Sequence, residues 1–300
     1  MPNTKPPEIS IIICTYNTKD LTCECLDKLK KSIDYLKKPV QTIVIENGTD
    51  GTAAVIKKKY SWVKLLEPKE NTGFAKGNNL GIKASDTKTK YYLFLNTDAL
   101  VAPETLSKAV EFMENHSTCE VLGCKLKFGD GRMQPSAGYL PDPLNTTLWM
   151  LGLDRFSVSP VHPKNKEFFA KDRKVGWVMG AFLFMRSVVI EKTKGFDENF
   201  FMYMEEIEWC RRINDKKLEV WYTPSFEITH LDKASSGFDV RKPLTREIQG
   251  LRYYLKRYYP DDDFIMKPVI WLGVAERWLI FSLTGNKVRA DIYRDILKEI

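Results

Sequence analysis

Six cysteines are spread over 300 residues, and none stands in a Cys-x-x-Cys pair or at zinc-site spacing. Cys14, Cys124 and Cys210 sit in apolar segments, so free thiols in a reducing, cytoplasmic setting are expected. Histidine is scarcer still, with three in the chain. No Gly-x-Gly-x-x-Gly follows the first apolar strand, and no Gly-x-x-x-x-Gly-Lys-Ser/Thr occurs. That disfavours dinucleotide oxidoreductases and P-loop enzymes. No apolar run makes a good membrane span: Val269 to Leu283 is short, and Glu276 and Arg277 interrupt it. Met1 to Glu8 is polar and proline-rich, which reads as a short tail rather than a signal peptide.

What is present is ordinary globular material, 43% hydrophobic and 28% charged, ample for a core. The net charge of +7 permits a membrane surface, nucleic acid or phosphorylated substrates, and selects none. β-Branched and aromatic runs at Ile9 to Cys14, Gln41 to Ile45, Val63 to Leu66 and Tyr91 to Leu95 read as buried strands. Helical segments Leu21 to Leu36, Thr52 to Tyr60 and Leu80 to Ala84 separate them. Strands alternating with helices predict an α/β fold, a mostly parallel sheet with helices on both faces.

Each of these strands runs into polar residues, and in an open α/β sheet that edge is where ligands bind. The first offers Thr15, Tyr16 and Asn17, and the second Glu46 and Asn47. The third leads through Asn71 to Gly73, Lys76 and Asn78, and the fourth ends in Asn96-Thr97-Asp98. A hard divalent cation wants oxygen ligands, and Mg²⁺ uses one or two protein carboxylates plus substrate phosphates. Asn96 and Asp98 can serve that purpose, or can simply end a strand before a helix opened by Pro103 and Glu104. Gly73 and Gly77 can equally be turn chemistry.

Read together, five stretches resemble the family-2 inverting glycosyltransferases, in particular their rhamnosyltransferase-like branch. They are Ile11 to Asn17, Val44 to Gly51, Asn71 to Asn79, Asn96 to Asp98, and Trp177 to Ala181 continued by Gly195 to Cys210. The resemblance spans about Ile9 to Gly237. It implies a GT-A fold, a nucleotide-sugar donor such as dTDP-rhamnose, and Mg²⁺ or Mn²⁺ as cofactor. It further implies a glycan or lipid-linked glycan as acceptor. Carried over by position, Thr15 and Tyr16 line the nucleoside pocket. Glu46 replaces the family's usual aspartate at the base edge. Asn96-Thr97-Asp98 corresponds to its Asp-x-Asp-type metal motif, with Asp98 the firm carboxylate.

Downstream, residues 128–174 are rich in Pro and Gly and weakly periodic. Trp149 and Phe156 there serve as core plugs or sugar platforms. Val175 to Met185 reads as one apolar strand, and Trp177, Gly180 and Ala181 are candidate acceptor contacts. Glu205, Glu206 and Glu208 open a helix behind the flank Phe200 to Met204. Acids favour a first helical turn through the dipole. The apolar flank, however, would raise a carboxylate's pKa and suits a general base. The resemblance places the family's acidic pair on Glu205 and Glu206, the second being the base. It also makes His230 a metal ligand beside Asp98, with Ser235-Ser236-Gly237 a flexible loop beyond.

Residues 241–300 read as a helical extension with a net charge of +4. Trp271, Trp278, Tyr253 and Tyr254, with nearby bases, fit a membrane interface. Packing on the catalytic domain or in a homodimer explains them as well. The expected organisation is a donor half, residues 1–100, an acceptor and catalytic half, 101–238, and the extension, 239–300. A sugar nucleotidyltransferase and a non-catalytic, membrane-associated scaffold of polysaccharide assembly remain as alternatives. Nucleic acid is not expected as a partner.

Overall fold

In the computed structural model, residues 6–231 and 241–300 are described. The first half follows the alternation in the sequence. Strands β1 (Ile9–Thr15), β2 (Val40–Glu46), β3 (Val63–Leu66) and β4 (Tyr91–Leu95) alternate with helices α1 (Lys19–Leu36), α2 (Thr52–Lys59) and α3 (Gly73–Ala84). Next come β5 (Ala99–Leu100), α4 (Thr105–Asn115), β6 (Cys119–Lys127), β7 (Met133–Gln134), β8 (Ala137–Gly138) and α5 (Pro143–Met150). The second half continues with β9 (Arg173–Val175), β10 (Trp177–Val178), β11 (Phe182–Arg186), α6 (Ser187–Thr193), α7 (Glu205–Asp215) and β12 (Glu219–His230). Helices α8 (Arg241–Tyr258), α9 (Asp263–Leu283) and α10 (Lys287–Glu299) close the chain.

The main sheet runs β3-β2-β1-β4-β11-β6-β12-β5, with β7 added on β6 and β9 on β12. β1 to β4 pair in parallel, whereas β11 is antiparallel to both β4 and β6. Period-two alternation divides the core between the faces. Ile9, Ile11 and Ile13 pack with Leu26 and Leu29 of α1 on one side. Ile12, Ile43 and Phe94 pack on the other with Trp209 of α7. That second layer also holds Leu251, Tyr254, Ile270 and Ile296, so the C-terminal helices share it with the sheet.

Three sequence expectations shift. The Asn71 to Asn79 stretch is helical from Gly73 onward, not a loop leading to a helix at Leu80. Its glycines serve packing: a Cβ at Gly81 would lie 2.4 Å from Ile12 Cγ2, and one at Gly77 would lie 2.9 Å from Cys14 Sγ. Val175 to Met185 is interrupted, because β10 pairs with β8 while β11 joins the main sheet. The stretch from 128 to 174 holds a capped helix, with Asp142 and Asn145 forming a reciprocal capping box at α5. Trp149 packs on His162 there, and Phe156 is exposed.

Candidate functional site

Three strand ends are knitted together by side-chain amides. After β1 the chain turns at Asn17, whose φ of +53° lies in the left-handed region that asparagine tolerates. Asn17 Oδ1 accepts the Thr49 N–H at 2.8 Å, past the end of β2. Gly48 makes that approach possible, since a Cβ there would fall 2.5 Å from the Asn17 backbone nitrogen. Asn47 Oδ1 accepts both the N–H and the hydroxyl of Thr72, at 3.0 and 2.8 Å, which fixes the start of α3.

These ends open onto a cleft of about 330 Å³. Thr15, Tyr16, Asn17, Asn47, Gly73, Asn96, Thr97 and Asp98 line it, as do Asn71 and Phe74. The opposite wall comes from far along the chain: Phe201, Met202, Tyr203, Lys242, Pro243 and Arg246.

At the floor, β12 pairs antiparallel with β5 and sets His230 opposite Ala99. Leu231 N–H also donates to the Asp98 carbonyl at 2.9 Å. His230 Nε2 thereby stands 3.3 Å from Asp98 Oδ1, with both side chains buried. On its other side, His230 Nδ1 lies 3.0 Å from Gln134 Oε1. An amide oxygen can only accept, so Nδ1 donates to Gln134 and Nε2 is the ring nitrogen turned toward Asp98. Two ligand atoms roughly 2.1 Å from a metal and at right angles stand about 3 Å apart. The pair therefore fits a divalent cation. Among the described residues no group of three or more His, Cys, Asp or Glu is arranged for a metal, so such an ion would take its remaining ligands from substrate and water. Ser235-Ser236-Gly237 lies outside the described residues.

The acids of α7 differ sharply. Glu208 is fully buried and neutralised: Arg212 Nη2 stands 2.8 Å from one oxygen, and the Tyr258 hydroxyl donates to the other at 2.7 Å. Glu205 is 4% exposed, and its Oε2 has no hydrogen-bond partner. Burial, then the charge of Glu206, hold its pKa well above the ordinary carboxylate range. Glu206 is only half-buried, though its Oε2 also lacks a partner. Burial raises its pKa, and backbone N–H groups including that of Gly180 offset part of the rise. Ahead of the pair, Tyr203 and Met204 take consecutive positive φ values of +74° and +70°. Neither is glycine, so the turn that aims Glu205 and Glu206 stores strain of about 1–3 kcal/mol per residue.

Other sequence candidates lie off the cleft. Glu46 is buried beneath the Asn17 loop, with Oε1 on the Gly48 N–H, and is not among the residues lining the cleft. Lys76 is on the exposed side of α3, 3.8 Å from Glu70. The Asn78 amide donates to Phe74 O within the helix at 2.9 Å. Trp177 is buried and its indole N–H is committed to Val161 O at 3.0 Å, so it is a core residue rather than an acceptor platform. Ala181 is buried too, its carbonyl accepting the Asn96 N–H at 3.2 Å. Gly180 stays near the chemistry: a Cβ there would sit 3.6 Å from Phe74 Cζ and 3.9 Å from Glu206 Cβ. Lys242 and Arg246 were not legible as site residues. They stand one helical turn apart, but nothing in the sequence ties that helix face to this cleft.

Comparison with known proteins agrees with this geometry. Residues 10–192 match the sequence profile described as Glycosyl transferase family 2. An N-acetylglucosaminyl-diphospho-decaprenol L-rhamnosyltransferase of Mycobacterium tuberculosis is 26% identical over 221 residues, 68% of this chain and 70% of that protein. Rhamnosyltransferase WbbL of Escherichia coli is 23% identical over 230 residues, 74% of this chain and 83% of WbbL. Among solved structures, mannosyltransferase PcManGT from Pyrobaculum calidifontis, in complex with GDP-Man and Mn²⁺, superposes with a TM-score of 0.57 at 16% identity, covering 98% of this chain and 84% of that one. S. aureus TarS 1-349 gives 0.52 at 15% identity, covering 97% and 90%. Both share the GT-A fold seen here. With a strand-end cleft lined by Asp98 and a profile match over more than half its length, the chain belongs to glycosyl transferase family 2 and is a glycosyltransferase.

Proposed function

We propose that the enzyme transfers a hexosyl group, a rhamnosyl group, from a nucleotide-diphosphate donor such as dTDP-rhamnose to a glycan or lipid-linked glycan by an inverting single displacement. The observation that carries this reading is Asp98, which lines a cleft walled by Thr15 and Asn47 and has His230 Nε2 3.3 Å from its carboxylate. The rhamnosyl donor rests on the two relatives named as rhamnosyltransferases. A lipid-linked acceptor rests on the diphospho-decaprenol in the name of the first. Asp98 and His230 would hold Mg²⁺ or Mn²⁺, which when bound offsets charge on the donor diphosphate. The Mn²⁺ in the PcManGT complex supports a divalent ion.

The protein's own groups do the rest. Thr15, Tyr16, Asn17 and Asn47 hold the nucleoside end of the donor. Glu206 takes the proton from the acceptor hydroxyl as that oxygen attacks the anomeric carbon, whose bond to the diphosphate oxygen breaks to release the nucleoside diphosphate. Glu206 is the less buried of the two acids, which favours it over Glu205 as the one an approaching acceptor meets. Burial raises its pKa above the ordinary carboxylate range, which makes it a stronger base for this step. The free thiols and the acceptor class support a cytoplasmic enzyme, peripheral on the inner face of a membrane. No described helix is long and apolar enough to cross one.

Donor hydrolysis tested with a panel of nucleotide sugars, with and without Mg²⁺ or Mn²⁺, checks the reading. One donor should be hydrolysed in a metal-dependent manner, and Asp98→Ala should abolish that dependence with the fold intact. Equal donor affinity by calorimetry in wild type and Asp98→Ala would refute the metal site. Pyrophosphate release from a nucleoside triphosphate and a sugar phosphate would instead mark a nucleotidyltransferase.

A further inference from the structure

We propose that Lys242 and Arg246 of α8 form the anion-binding wall of the cleft and hold the donor's diphosphate, an inference that rests on the cleft being the donor site. The C-terminal helix is then part of the catalytic machinery, not an appendage to it. Lys242 and Arg246 are four residues apart on a helix and so share a face, and both line the cleft that contains Asp98.

The pairing of the other α8 arginines makes these two distinctive. Arg241 is bound to Asp295, Arg252 lies 3.8 Å from Asp263, and Arg257 lies 2.5 Å from Asp197. Among the described residues, Lys242 and Arg246 have no such carboxylate. Arg246 instead lies over the Phe201 ring, 4.4 Å from its centroid. A guanidinium stacked on an aromatic face keeps its N–H edge available, and that edge matches phosphate oxygens bidentately.

Phe201 is itself anchored. Its carbonyl accepts the Phe74 N–H at 2.7 Å, in the first turn of α3. Gly73 permits the approach, since a Cβ there would lie 2.5 Å from Phe201 O. Gly250 brings α8 in closely, with Met204 Cβ 3.0 Å from where its own Cβ would be. The helix is thus seated on the Phe201–Met204 segment with its two cations over the cleft. Lys76, on the outer side of α3, does not reach that position.

A diphosphate can come from the donor or from a lipid diphosphate acceptor, so binding is measured with no acceptor present. Calorimetry on the full chain uses dTDP, UDP and GDP and the corresponding monophosphates, at two salt concentrations. Wild type should bind at least one diphosphate more tightly than its monophosphate. Lys242→Gln/Arg246→Gln should lose roughly tenfold or more in diphosphate affinity, as expected for charge-assisted bonds. It should also flatten the salt dependence and erase the preference over the monophosphate. Arg246→Lys should recover part of the loss, and unchanged melting temperatures exclude misfolding. Diphosphate binding equal to wild type overturns the inference. If wild type binds none of the nucleotides, the donor-site reading fails beneath it.

Discussion

Glu205, Glu206 and Glu208 lie within one turn of α7 and meet three different surroundings. Glu208 is neutralised by Arg212 and pins the helix. Among the described residues, Glu205 and Glu206 have no cation in hydrogen-bonding contact, and the charge of Glu206 raises the pKa of Glu205 beyond the effect of burial. Glu206→Gln keeps shape but cannot take a proton, so turnover should fall by roughly 10²- to 10⁴-fold with donor affinity preserved. A larger loss in Glu205→Gln would move the base to Glu205. Stability separates the two as well. The folded pKa of Glu205 is raised above an unfolded value of 4.5, so the native state binds more protons. Its favourable contribution is complete below that value and is lost as pH rises through the folded pKa. Glu205→Gln should therefore melt higher than wild type at pH 8, with the gap closing toward acid. A gap independent of pH would show that Glu205 does not titrate in this way. The triple of acids was visible in sequence. Which acid is neutralised was not, because Arg212 is one helical turn away but Tyr258 is fifty residues away.

At the level of single elements, α3 shows why composition misleads. Asn71 to Asn79 has the glycine and asparagine content of a turn, and glycine disfavours helix by about 1 kcal/mol against alanine. Tertiary packing outweighs that here. Gly77 and Gly81 let the helix lie directly on β1, and Asn79 bonds across to Phe196, its Nδ2 donating at 2.9 Å and its Oδ1 accepting at 3.0 Å. Gly81→Val would drive a branched side chain into Ile12 and Ile45. The expected loss is about 1–3 kcal/mol from overpacking, read as a lower denaturant midpoint. A variant as stable as wild type would mean that α3 can lift from the strand without penalty. The strands themselves were legible because buried parallel strands are continuous β-branched runs. The Asp98–His230 contact was not, since it depends on the pairing of β5 with β12, 130 residues apart.

Across the whole molecule, the C-terminal helices divide their surfaces between two tasks. One side is committed to the core: Tyr254 is fully buried, and Tyr253 packs on Phe200 with centroids 5.1 Å apart. Tyr254 is therefore not available to a bilayer, contrary to the sequence expectation, whereas Tyr253 stays exposed beside Phe200. The outer side of α9 is different. Phe264, Trp271, Leu272, Leu279 and Leu283 are all exposed, and Lys267, Lys287 and Arg289 stand exposed around them with Glu276 as the opposing acid. Leu153, Phe156 and Val158 are also exposed just beyond α5, which Arg277 fastens to α9 through Met150 O at 2.6 Å. Aromatic and aliphatic side chains set among lysines fit an anionic lipid surface, where each cation contributes about 1 kcal/mol. A lipid-linked acceptor would be presented at the same surface, so attachment and acceptor supply would coincide. The full-length protein should sediment with phosphatidylglycerol-rich liposomes at low salt and release as salt rises. Trp271→Glu/Leu279→Glu should abolish sedimentation and lower activity on a lipid-linked acceptor, while sparing turnover on a short soluble one. If the same variant instead converts a dimer to a monomer in solution and wild type ignores liposomes, the face belongs to a second copy of the chain.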